Sequence, residues 1–116
     1  MNSLIETIFA DFKVDEKNIP VSFLKYDGKS TTYITYQSVD NDGALSGDDE
    51  IIGYIDYYDL DIYTKGNYLN IVRKVKKIMK DNGFVWQPEL SSGDMFEDDT
   101  GYYHKTLCFA IERMEE

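Results

Sequence analysis

One histidine and one cysteine, His104 and Cys108, stand among 22 acidic residues in this 116-residue chain, and any chemistry must be assembled from that inventory. A structural zinc site needs several convergent Cys, His or carboxylate ligands, which one His and one Cys do not supply. A nucleophilic Cys–His pair needs side-chain contact. Four residues apart on a predicted strand, these two lie about 13 Å from each other. They read as a small apolar thiol and a surface imidazole. The segment Ser38–Asp49 imitates part of a calcium loop, with Asp40, Asp42, Gly43 and Asp49 at positions 3, 5, 6 and 12. Its first position is serine, its last is aspartate in place of the bidentate glutamate, and its flanks read as strands, so a solvated acidic loop is the preferred reading. Glu97, Asp98 and Asp99 cluster beside Thr100-Gly101, where aspartate favours a turn through local backbone hydrogen bonds. The sequence has no Gly-rich phosphate loop, G-x-S-x-G elbow or H-E-x-x-H pair. No catalytic residue, metal or cofactor is therefore expected, and the chain is read as a non-enzyme.

The elements that must position these groups follow from periodicity. Residues 3–13 predict a short helix with Leu4, Ile5, Ile8, Phe9 and Phe12 on one face, and Ser3 and Glu6 have capping-box spacing. Ile19-Pro20 ends that region, because a residue before proline avoids the α conformation. Residues 21–26 and 31–39 predict two strands joined as a hairpin through the Asp27-Gly28 turn signal. Residues 40–49, rich in aspartate and glycine, predict a projecting mobile loop. Residues 51–63 predict a long strand with Tyr54, Tyr58, Leu60 and Ile62 on one face and Asp59 and Asp61 on the other. Asp56 falls on the apolar face, which implies a bulge or a strand that outruns the core. Residues 67–82 predict the strongest helix, stopped by Gly83. Residues 84–86 predict a short strand ended by Pro88, and residues 95–97 and 102–113 a final hairpin. On its last strand Tyr103, Leu107, Phe109 and Ile111 oppose His104, Thr106, Cys108 and Ala110. The order α-β-β-β-α-β-β-β predicts one α+β domain, a mixed or antiparallel sheet packed against two helices.

Ten Tyr, six Phe and one Trp make the chain aromatic, and 42% hydrophobic residues suffice for a core. A single cysteine, no basic segment leading into an apolar run and no long apolar stretch predict an intracellular protein without a membrane span. The net charge of −10 disfavours coating of nucleic acid. That charge is segregated. Lys65, Arg73, Lys74, Lys76, Lys77 and Lys80 are six of the twelve basic residues, and residues 65–80 contain no acid. Residues 40–61 hold eight acids and no base, and residues 89–99 hold five acids and no base. A plain reading is a solvated helix face whose lysines suit the macrodipole. A functional reading is self-complementarity, in which identical subunits pack head to tail and close into a ring.

Three segments carry a family likeness: the long strand ending Tyr58-Asp59-Leu60-Asp61-Ile62-Tyr63-Thr64-Lys65-Gly66-Asn67-Tyr68, the amphipathic basic helix ending Asn82-Gly83-Phe84, and Met95 to Lys105 followed by Leu107 and Phe109. With Ile19-Pro20-Val21 and Tyr33-Ile34-Thr35-Tyr36, they resemble the tail terminator, or tail completion, proteins of siphophages and of prophages in Gram-positive bacteria. The resemblance implies a structural virion protein with no catalytic residue. It implies a hexameric ring that caps the tail tube, stops its polymerisation and helps join the head. The expected partners are further copies of the chain, the tail tube protein and a head-completion or neck protein, with no membrane partner. The expected location is the host cytoplasm during assembly and then the virion. Candidate ring contacts are Lys65, Arg73, Lys74, Lys77 and Lys80 with Asp40, Asp42, Asp48 and Asp49. Candidate tail contacts are Glu97, Asp98, Asp99 and Tyr102. The alternative is an acidic binding module, such as an immunity or inhibitor protein, that fills a basic partner site with carboxylates and tyrosines.

Overall fold

A computed structural model describes residues 2–39, 44–47 and 50–114. The first helix, α1 (Asn2–Ile8), is shorter than its apolar pattern predicts. Phe9 still donates to the Ile5 carbonyl at 3.1 Å, but Asp11 takes a left-handed φ of 56° that ends the helix. Phe9 and Phe12 nonetheless reach the core, meeting edge to face with centroids 5.1 Å apart. The side chain of Ser3, predicted to cap α1, lies outside the described ones, and Glu6 accepts a hydrogen bond from the Tyr36 hydroxyl at 3.2 Å. Two short strands, β1 (Lys13–Val14) and β2 (Lys17–Asn18), follow as a separate tight hairpin. Asp15 and Glu16 turn it with φ of 53° and 67°.

Strands β3 (Val21–Phe23) and β4 (Thr32–Val39) are neighbours, but they run parallel, with Val21 opposite Ile34 and Phe23 opposite Tyr36. The predicted hairpin is therefore corrected. Leu24, at a φ of 67°, donates to the Tyr36 carbonyl and then leads the chain out of the sheet. The connection is held by Tyr26, which stacks on Tyr33 at 4.6 Å and accepts the Ser30 N–H through its hydroxyl. The loop is thus tethered to the start of β4 and re-enters in the same direction.

A second correction concerns residues 40–49. Ala44–Gly47 form a strand, β5, that pairs antiparallel with β6 (Glu50–Thr64). Asp40, Asp42, Asp48 and Asp49 lie outside the described residues. The remaining elements are α2 (Leu69–Asp81), β7 (Val85–Trp86), a single 3₁₀ turn at Pro88–Leu90, β8 (Met95–Glu97) and β9 (Tyr102–Met114). The sheet order is β3-β4-β6-β9-β7, with β5 also on β6 and β8 also on β9. It is a mixed sheet packed against two helices, as the element order predicts.

Register fixes the two faces. Ile34 and Ile62, Tyr36 and Leu60, and Leu60 and Leu107 are cross-strand partners that share one core with Ile5, Ile71, Val72, Val75 and Met79 of the helices. Both helices therefore cover the same face. Helix α2 ends in a Schellman motif: Phe84 donates to Met79 and Gly83 to Lys80, which needs the φ of 88° that glycine supplies. Strand β6 pairs with β9 without interruption from Gly53 to Thr64. Asp56 opposite Ile111 thus marks a strand that outruns the buried cluster, whose first β6 member is Tyr58, and not a bulge. A 15-residue strand extends about 50 Å, which accounts for overall dimensions of 51 × 27 × 24 Å.

The segment 85–97 runs along the outer side of β9, yet only its two ends form strand ladders. Pro88 carries no N–H, and serine hydroxyls fill the gap. Ser91 Oγ accepts the Cys108 N–H at 2.9 Å and the Trp86 indole N–H at 3.0 Å, and donates to the Gln87 carbonyl at 2.8 Å. Ser92 Oγ accepts the Thr106 N–H at 2.8 Å. Ser91→Ala removes one hydroxyl from three partners, among them a strand N–H on a buried residue. It is expected to lower stability by about 1–3 kcal/mol, measurable as a fall in urea midpoint at constant slope. Ser22→Ala, on a residue without such a network, is the control.

Candidate functional site

The basic helix face is only partly as the charge pattern predicts. Arg73, Lys77 and Lys80 recur at i, i+4, i+7 spacing and are exposed on α2. Lys77 pairs with Asp81 at 3.0 Å, the first acid beyond the acid-free run. Lys74 donates to the Lys13 carbonyl and lies over the Phe12 ring at 5.7 Å, so it ties α2 to the β1–β2 hairpin. Lys76 sits 3.5 Å over the Trp86 ring, and burial followed by the charge of Lys105 lowers its pKa. Lys65 lies apart from the others, beyond the end of β6, with its ammonium 5.2 Å over Tyr102. Helical spacing shows which lysines leave one helix, but not which carbonyl or ring another element will offer them.

Glu97, Asp98 and Asp99 are all exposed at the tip joining β8 to β9. The turn closes through the Gly101 N–H to the Glu97 carbonyl at 2.8 Å, with Gly101 at a φ of 77°. Tyr102 does not accompany them outward. Its ring stands edge-on to Tyr33 and Tyr63, at 5.9 and 6.5 Å.

That contact belongs to an aromatic ladder on the sheet face opposite the helices. Tyr26, Tyr33, Tyr63 and His104 stack in succession, with centroids 4.6, 4.9 and 4.2 Å apart. Beside the ladder, Asp61 Oδ1 contacts His104 Nε2 at 3.0 Å and accepts the Thr106 hydroxyl hydrogen. Burial, then the charge of Asp61, pushes the Tyr63 phenol up to about 12. One row on, burial raises the Asp59 carboxyl despite a hydrogen bond from Cys108, and the Cys108 thiol is pushed up to about 12 by burial and then by Asp59. The alternation of β6 and β9 predicts the face of each residue correctly. The row that brings Asp61 to Thr106 and Tyr63 to His104 is set by register, which periodicity does not specify.

The Thr106 hydroxyl gives its hydrogen to the Asp61 carboxylate, and its oxygen is 3.5 Å from the His104 nitrogen, so the three side chains form one hydrogen-bonded cluster. Cys108 is buried and holds its proton tightly, the reverse of a reactive thiol. Among the described residues no three His, Cys, Asp or Glu side chains are grouped to hold a metal ion, and no helix is long and apolar enough to cross a membrane. No protein-family model matches the chain, and no curated protein matches it.

Proposed function

We propose that this chain is a virion assembly protein, a tail terminator whose copies form a ring, expected to be a hexamer, that caps a phage tail tube and contributes to head–tail joining. The sequence resemblance supplies the family. The observation that supports assembly is the separation of charge: α2 carries Arg73, Lys77 and Lys80 outward, while the exposed acids of residues 89–99 lie on the β7–β8 segment and its turn. Each chain then offers a cationic helix and an anionic segment that neighbouring copies in a ring can join. The tube and the head-completion protein are the further partners in this reading, and the location is the host cytoplasm and then the virion.

Arg73→Glu, Lys77→Glu and Lys80→Glu together test the electrostatic part. Lys74 is left intact because it holds the β1–β2 hairpin. An exposed pair contributes about 1 kcal/mol or less, so the triple reversal is expected to weaken self-association by about tenfold or more while leaving the thermal midpoint nearly unchanged. Light scattering across concentration, with electron microscopy for shape, reads the result. Unchanged assembly of the triple variant removes the electrostatic contact. A strict monomer at high concentration, also with tail tubes present, removes the ring.

A further inference from the structure

The sheet ends on two unlike edges, and both expose apolar side chains. On one side β3 is the last strand, and it carries Phe23 and then Leu24, which is 59% exposed. Leu24 holds a φ of 67°, a left-handed conformation costly for a bulky side chain, and so presents an apolar group to solvent under strain. On the other side the 85–97 segment exposes Val85, Leu90, Met95 and Phe96, with Leu90 60% exposed. Apolar groups gathered along an open sheet edge offer a surface that another chain can cover.

We propose that these two edges are the halves of one contact, the β3 edge of one copy packing on the 85–97 edge of the next. This inference rests on the ring reading above and names the surfaces that would form the ring.

Three observations select a second copy, joined head to tail. Register places the edges at the same height along the strands. Phe23 is level with Tyr36, Leu60 and Leu107 in turn, and Leu107 lies between Thr106 and Cys108, the residues held by Ser92 and Ser91 next to Leu90. Neighbouring copies can therefore meet edge to edge without sliding along the strands. Charge opposes a twofold alternative: residues 89–99 carry five acids and no base, so two such edges repel, whereas the loop after β3 carries Lys25 and Lys29 with one acid, Asp27. The helices also match. Helix α1 stands beside β3 and α2 beside β7 on the same sheet face, so an edge contact brings the basic α2 toward the exposed Glu6 of a neighbour's α1. Two different patches on one chain make a heterologous contact, the kind that closes into rings.

Leu24→Asp and Leu90→Asp test this, since each charges one edge and leaves the other whole. Both residues are exposed, and aspartate tolerates the conformation of Leu24, so thermal melting should be nearly unchanged. Each variant alone is expected to stay monomeric at concentrations where the unaltered chain assembles, a loss of about tenfold or more in association. An equimolar mixture is expected to form a heterodimer through the two undamaged edges and to stop there. Variants that assemble normally, or a mixture that stays monomeric, overturn the proposed contact. A chain that never self-associates, with or without tubes, overturns it together with the ring. Normal capping of tail tubes by both variants overturns the contact and leaves the terminator reading standing. The expected heterodimer, from a chain whose assemblies ignore tail tubes, does the opposite.

Discussion

Leu60→Ala is expected to lower stability by about 4 kcal/mol, near the top of the range for a buried leucine. Leu60 has 0% exposure on β6 and is flanked by Tyr36 on β4 and Leu107 on β9. Its neighbours are fixed by strand ladders on both sides and roofed by α2, whose Val75 and Met79 also show 0% exposure. A site enclosed in this way relaxes little, so the cavity persists and its cost adds to the lost burial. Leu69, the first residue of α2, supplies the contrast. It is 55% exposed, and its replacement by alanine is expected to change stability by less than about 0.5 kcal/mol. Urea unfolding of both variants, with equal slopes, makes the comparison. Similar losses for the two leucines would show that the core is not centred on β6.

Leu60 is legible as a core residue because Tyr58, Leu60 and Ile62 alternate with Asp59 and Asp61, and only one face of such a strand can be buried. Helix α2, its glycine stop and the two faces of β9 are legible from periodicity in the same way. Features whose determinant is remote in sequence are not. Asp27-Gly28 signals a hairpin, yet the stack of Tyr26 on Tyr33 turns the strand connection into a parallel one. Ala44–Gly47 look like loop because their own composition is weak, and their strand exists through pairing with β6. The broken edge at Pro88 reads as a polar loop, because a serine hydroxyl standing in for a backbone group leaves no periodic trace. Charge shows the same limit. The run from Lys65 to Lys80 is visible in sequence, whereas the attachment of Lys74 to the Lys13 carbonyl and of Lys76 to Trp86 depends on elements far from the helix. Local chemistry reveals elements and their faces, and long-range pairing decides which surface groups remain available to a partner.

The many tyrosines are expected to make the fold lose stability in alkali. Burial, then the hydrogen bond to Glu6, pushes Tyr36 up to about 12, and burial does the same for Tyr63. Tyr68 also rises to about 12, by burial and by its hydrogen bond to Asp94, and Cys108 rises from 9.0 to about 12. Each of these groups is neutral when protonated, and the folded state holds the proton more tightly than the unfolded chain. Their contribution is therefore complete below the unfolded values, near 9 for the thiol and 10 for the phenols, and is lost as pH climbs toward 12. For the fully buried Tyr36 alone, two units at roughly 1.4 kcal/mol each give about 3 kcal/mol. Domains of this size have only about 5–15 kcal/mol in total, so a large fraction of the stability is expected to be lost as pH approaches 12. Urea melts between pH 8 and 11.5 should show stability nearly flat to pH 9 and falling steeply above 10. Absorbance at about 295 nm should show exposed tyrosines ionising first and a delayed group ionising only as the fold is lost. Tyr36→Phe should shrink the alkaline loss and cost about 1 kcal/mol at neutral pH, where its hydrogen bond to Glu6 is missing. A single phenolic transition near the ordinary value, with the fold intact to pH 11.5, would place these rings in water rather than in the core and along the ladder.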